Sequence, residues 1–201
     1  MKTSKVMVIS LLLFFFLPLL FSSAFAGSFE DKKYEIGIAP GILFPGDVYI
    51  SLLGESVNHN SNFLIRSYFD AYVIPQISFG LYINYTTLNL ERDLEVFDME
   101  IKSSGTSILG IGVSIKPRFI ISPEFAFKPG LSIGHRQFYG DNDFSKWKGL
   151  ALNGSGEFQY LFSEQIKIIG ELGFLHQPYG GNEDTDVTFD PIFYFVVGVA
   201  F

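Results

Sequence analysis

The sequence closes on PIFYFVVGVAF, Pro191 to Phe201, and the two faces of this stretch decide the fold. In an extended strand successive side chains point to opposite sides. Counting back in twos from Phe201 gives Val199, Val197, Phe195 and Phe193, an unbroken row of large apolar groups. The intervening row, Ala200, Gly198, Val196, Tyr194 and Ile192, is smaller and partly polar. A strand with its bulk on one face must set that face against an apolar medium. No residues follow to cover it, so the expected medium is lipid.

The same period of two recurs upstream. A first strand over Tyr34 to Phe44 sets Ile36, Ile38, Pro40, Ile42 and Phe44 against Glu35, Gly37, Ala39 and Gly41. A second, Phe63 to Val73, alternates Ile65, Phe69 and Val73 with Arg66, Tyr68, Asp70 and Tyr72. The third, Ile77 to Thr87, is the cleanest: Phe79, Leu81, Ile83 and Tyr85 against Ser78, Gly80, Tyr82 and Asn84. Further strands are expected over 106–119, 124–138, 149–161 and 166–177, before the closing strand. Ile74-Pro75-Gln76, Ser122-Pro123 and Ser163-Glu164-Gln165 supply short turns, while the longer polar stretches 45–62, 89–105, 140–148 and 178–190 read as loops. Pro40, Pro117 and Pro129 fall inside expected strands, where each removes a ladder donor; bulges near the rims are the expected reading, which the central Pro40 does not fit.

Eight strands joined alternately by long and short connections leave both chain ends on the short-turn side. This arrangement, with the terminal aromatic residue, resembles the small eight-stranded outer-membrane β-barrels of the OmpA/OmpX-like superfamily, whose assembly machinery reads a C-terminal strand such as Phe195, Val197, Val199 and Phe201. The resemblance implies a closed antiparallel up-and-down transmembrane barrel, short turns in the periplasm and longer loops outside. Closure is also a physical requirement, because an open sheet edge in hydrocarbon leaves backbone groups unpaired at several kcal/mol each.

The first 26 residues, MKTSKVMVISLLLFFFLPLLFSSAFA, carry Lys2 and Lys5, an apolar run, and small residues at Ala24 and Ala26. That is the layout of a cleaved signal peptide, giving 1–26 as signal and 27–201 as the barrel domain. The rival reading is an anchoring helix of roughly 20 apolar residues. Without Lys2 and Lys5, twelve Lys and Arg face 21 Asp and Glu, a formal charge of −9. Such an acidic chain without a basic cluster argues against nucleic-acid binding. The chain has no Cys, which removes disulfides and thiolate metal sites, and no cofactor is implied.

The candidate interior is a set of charges on the polar rows: Arg66, Asp70, Lys116, Arg118, Lys128, Arg136, Glu157 and Glu171. Ions of both signs inside a narrow barrel must pair, and eight strands leave a bore that side chains just fill. The expectation is a hydrophilic, ion-paired, structural interior rather than a porin-like channel. His135 and His176 fall on the outer rows; a lipid A deacylase places Ser two positions after such a His, but Gln137 and Pro178 stand there. No catalytic residues are therefore assigned, and the expected role is non-enzymatic: stabilising the envelope or presenting surface loops. A lipocalin-like soluble carrier is the all-β alternative, with its apolar rows turned inward.

The expected loops are acidic, holding Asp47, Glu55, Glu91, Asp93, Glu95, Asp98, Glu100, Asp141, Asp143, Glu183, Asp184, Asp186 and Asp190 against Arg92, Lys102, Lys146 and Lys148. They suit contact with lipopolysaccharide through divalent cations, though GGNEDTDVTFD lacks the spacing of a calcium loop. Two aromatic girdles are expected: Phe44, Phe63, Tyr85, Phe138, Tyr139, Trp147 and Tyr179 outside, and Tyr34, Tyr72, Phe119, Phe125, Tyr160 and Phe201 inside. The partners expected are membrane lipids, lipopolysaccharide and the assembly machinery, with a monomeric chain.

Overall fold

The computed structural model describes residues 29, 33–51, 53–90, 94–96, 99–101, 106–140, 147–183 and 185–201. The expected signal segment, much of the second and third external loops, including Glu91, Asp93, Asp98, Asp141 and Asp143, and Asp184 of the fourth lie outside the described residues. Every regular element described is a strand: β1 (Tyr34–Leu43), β2 (Gly46–Ile50), β3 (Glu55–His59), β4 (Asn62–Ile74), β5 (Ile77–Thr87), β6 (Leu94–Val96), β7 (Met99–Ile101), β8 (Ser107–Pro117), β9 (Phe119–Ile120), β10 (Phe125–Tyr139), β11 (Lys148–Leu161), β12 (Lys167–Gly181) and β13 (Val187–Ala200).

Eight of them close a wall in the order β1–β4–β5–β8–β10–β11–β12–β13, and β13 pairs back onto β1 through Gly37 with Ala200 and Ile42 with Phe195. All pairings are antiparallel. The alternation sorts side chains as the sequence requires. Leu81 on β5 is 57 % exposed on the outer wall, whereas its neighbour Tyr82 is 1 % exposed inside. Ile111, Val113, Leu131, Leu172 and Phe193 share the outer face. This apolar exterior rules out the soluble carrier, whose greasy rows would face inward. Tyr82 lies flat over Gly112 and Gly134, where an added Cβ would meet its ring carbon at 2.7 Å and its hydroxyl at 2.4 Å. The phenol therefore depends on two missing side chains.

At the short-turn end, Ser122 and Ser163 play the same part. Each hydroxyl accepts the amides two and three residues on, from Glu124 and Phe125 at 3.3 and 3.2 Å and from Gln165 and Ile166 at 3.4 and 3.2 Å. This is the local side-chain turn chemistry that serine favours.

The opposite end departs from the sequence expectation. The stretch 45–62, expected as a loop, forms the hairpin β2–β3, and its register continues that of β1–β4: Leu43 pairs with Asn62, Gly46 with His59, and Ile50 with Glu55. Likewise β12 runs on to Gly181 and β13 begins at Val187, so the expected loop 178–190 shrinks to a tight connection. Gly181, at φ +126°, makes the bend, and the Asn182 Oδ1 accepts the Thr185 amide at 2.8 Å. β13 then pairs with β2 through Val187–Ile50 and Phe189–Val48. Val48, Ile50, Val57, Val187 and Phe189 all turn inward. The alternation was there, but only over five-residue runs embedded among Asn, Ser and Gly.

The three interior prolines break hydrogen bonds without shifting register, contrary to the expected bulges. Arg118 donates its amide to Gln76 O at 2.6 Å on the β5 side, so Pro117, one residue earlier, turns its nitrogen toward β10. Pairings of Ile115 with Leu131 and of Phe119 with Phe127 place Pro117 directly opposite Pro129. Neither can donate, and the strand facing β10 is interrupted between β8 and β9. At the closing seam, Ile36 exchanges both backbone bonds with Phe201. Pro40, four residues on, therefore also faces β13, and the paired positions skip from Ile38 to Gly41. The observed bulges lie elsewhere, at 150/152, 175/177 and 72/74.

Candidate functional site

The lumen is filled, and its filling is zoned along the axis. All eight charges expected on the inner rows are buried there, none more than 7 % exposed. The group that organises them was not among the eight. Glu35, the single charge in the Gly- and Ala-rich row of β1, is completely buried at the periplasmic end. Its Oε1 accepts Lys128 Nζ at 2.7 Å and Gln159 Nε2 at 2.8 Å, and lies 3.0 Å from the Tyr68 hydroxyl. Its Oε2 accepts Tyr72 at 3.3 Å and an ion pair from Lys167. Lys167, at the first position of β12, was likewise missed.

The network continues inward. Lys128 reaches Asp70 at 2.7 Å, and Lys116 reaches Asp70 at 3.2 Å and Glu157 at 3.6 Å. Lys116 also lies 3.7 Å over the Tyr68 ring. Deeper still, Arg66 Nε stands 3.0 Å from Glu171, which also accepts the Tyr194 hydroxyl. The Arg66 guanidinium donates to Asn84 Oδ1 at 3.1 Å and sits 5.2 and 5.7 Å from the rings of Tyr82 and Tyr194. Such groups hold one another in a medium where an unpaired charge costs several kcal/mol. At the periplasmic mouth Phe29 is buried, its ring 4.9 Å from Lys167, and its carbonyl accepts from Arg118, which stacks 3.6 Å over Tyr72.

The external half of the bore corrects the expectation of a uniformly hydrophilic interior. Leu43, Leu64, Ile108, Phe138, Trp147, Leu175, Phe189 and Ile192 form an apolar cluster there. Phe138 packs edge-on against Trp147, centroids 5.9 Å apart, and also meets Phe189 at 5.9 Å. Phe138, Trp147 and Tyr72 are therefore inner groups and not girdle residues. The remaining girdle positions face outward, with Phe44, Phe63, Tyr139 and Tyr179 exposed at the external rim and Tyr34, Phe119, Phe125 and Tyr160 at the periplasmic one.

Among the described residues, neither outer-row histidine hydrogen-bonds a Ser or Thr hydroxyl. His135 is exposed on β10, and His176 donates Nδ1–H to Phe189 O at 2.7 Å. Among the described residues no cluster of His, Asp or Glu is arranged to hold a metal ion. The C-terminal row stands on the outer wall, with Phe195 and Val197 exposed and Val199 and Phe201 half-exposed.

This geometry defines a class: a closed eight-stranded transmembrane barrel with a packed lumen. No protein-family model and no curated protein matches the chain. Among solved structures, it is similar to the outer membrane protein OprG from Pseudomonas aeruginosa, at 12% identity over 83% of this chain and 93% of that one, with a TM-score of 0.58. It is similar also to Neisserial surface protein A, at 14% identity over 83% and 94% of the two chains, with a TM-score of 0.57. At these identities the likeness concerns the fold. By that fold and its apolar exterior, the chain is a small eight-stranded transmembrane β-barrel, similar in fold to these outer-membrane proteins.

Proposed function

We propose that the protein is a non-enzymatic, non-conducting barrel that stabilises the outer membrane and presents its acidic external hairpins to partners. The observation that carries this reading is the continuous filling of the bore, from Phe29 at the periplasmic mouth through the Glu35 network to Phe138 and Trp147. An ion crossing it would have to break buried ion pairs and then traverse an apolar zone, each step costing several kcal/mol. Outside, Asp47, Glu55, Glu183, Asp186 and Asp190 give the hairpins a negative surface suited to divalent bridging onto lipopolysaccharide phosphates. The outward row Phe195, Val197, Val199 and Phe201 is suited to engagement by the assembly machinery. Planar-bilayer recording of the refolded chain tests the reading. It requires a silent baseline, and steady unitary openings would refute it.

A further inference from the structure

Among the described residues, Arg136 is a buried cation with no carboxylate partner. It projects from β10 into the apolar end of the bore, where its guanidinium lies 5.6 Å from the Phe189 ring. The buried ion pairs among the described residues belong to Arg66, Lys116, Lys128 and Lys167. Six buried side chains are cationic and four are carboxylates, so the described interior carries two excess positive charges within an acidic protein. One excess charge, Arg118, is met by the Phe29 carbonyl at the mouth. The other is Arg136.

Beside Arg136 lies a cavity of about 20 Å³, lined also by His59, Asn84, Thr86 and apolar groups that include Leu64 and Phe189. That space admits one water-sized or halide-sized particle. His59 is completely buried; its Nε2–H donates to Thr87 O at 3.3 Å, and its Nδ1 has no hydrogen-bond partner among the described residues. Arg136 and His59 are the only charged or titratable groups lining the cavity among the described residues, and the Tyr82 phenol interacts with the same guanidinium.

We propose that this cavity is a binding site for a small monovalent anion of the halide class, with Arg136 as its counter-charge. A buried guanidinium facing an enclosed space needs an opposite charge more than it needs a dipole. A protonated His59 adds a second positive charge to the wall of the cavity, so halide uptake and His59 protonation favour each other reciprocally.

The test uses the refolded full-length barrel in detergent micelles, with folding checked by heat-modifiable gel mobility. At constant ionic strength, replacing gluconate with chloride should raise the thermal unfolding midpoint saturably, and more at pH 5.5 than at pH 8. Arg136→Gln should abolish the difference while still giving the heat-shifted folded band; Arg136→Lys should keep part of it. Crystals grown in bromide should show an anomalous peak within hydrogen-bond distance of the Arg136 guanidinium. The same midpoint in chloride and gluconate at both pH values, with no bromide peak, would overturn the site. An Arg136→Gln barrel that folds and keeps the full chloride effect would overturn it equally. None of these readouts depends on whether the bore conducts.

Discussion

Glu35 of β1 and Lys128 of β10 meet at 2.7 Å across the bore, between strands 93 positions apart in the chain. Their contact ties the first strand of the barrel to its far wall, and Lys167 and Gln159 converge on the same carboxylate. Replacing Glu35 with Ala leaves two ammonium groups sharing a diminished set of carboxylates. The expected cost is about 3–5 kcal/mol, read as a lowered guanidinium midpoint of the folded, heat-shifted band. Glu164→Ala, in an exposed turn, should stay within about 0.5 kcal/mol of the parent.

Opposed Pro117 and Pro129 should behave as a removable defect. In the Pro117→Ala/Pro129→Ala double variant each new N–H faces a carbonyl across the seam, and β8 and β9 become one strand. Amide hydrogen exchange should then reveal two slow protons at 117 and 129. Fast exchange at both positions would show that the break has another cause.

Depth in the bilayer should set the cost of charge on the outer wall. Leu131, 67 % exposed near mid-strand, faces acyl chains, whereas Tyr179 stands at the external rim. Leu131→Arg is expected to cost about 2–4 kcal/mol and Tyr179→Arg about 0–1 kcal/mol, measured by unfolding from lipid vesicles. Equal costs at the two sites would contradict the lipid-facing assignment.

On β3, beyond the external girdle, burial holds His59 below its ordinary value of 6.5, and the Arg136 charge pushes the same way. A histidine depressed in the folded state binds fewer protons there than when unfolded. Its contribution is therefore full above the ordinary value and lost as pH falls through the folded one. In halide-free gluconate buffer, the barrel should lose stability on acidification below about pH 6.5, and His59→Gln should flatten that slope.

The period of two made the eight strands, their faces and the buried charges legible, because lipid outside and a narrow bore inside impose opposite demands on alternate residues. Three things escaped it. Glu35 stands alone among Gly and Ala, so nothing in its row marks it as a hub; that role comes from cross-bore contacts with β10 and β12. Phe138 and Trp147 read as interfacial aromatics in the sequence because composition does not distinguish a ring at the rim from one folded over the mouth. The hairpin β2–β3 was hidden because Val48, Ile50 and Val57 alternate over too few residues to stand out from a loop, although the register they join was already set by β1 and β4.

The passage from the Glu35 cluster to the Phe138–Trp147 cap gives the interior a polarity of its own. Water advancing from the periplasm past Phe29 finds donors and acceptors as far as Arg66; beyond it the wall is mostly apolar, relieved only where Arg136, His59, Asn84 and Thr86 meet. The two halves of the bore thus differ in kind, hydratable below and largely dry above. Swelling, solvent exchange and denaturant entry should all begin from the inner side.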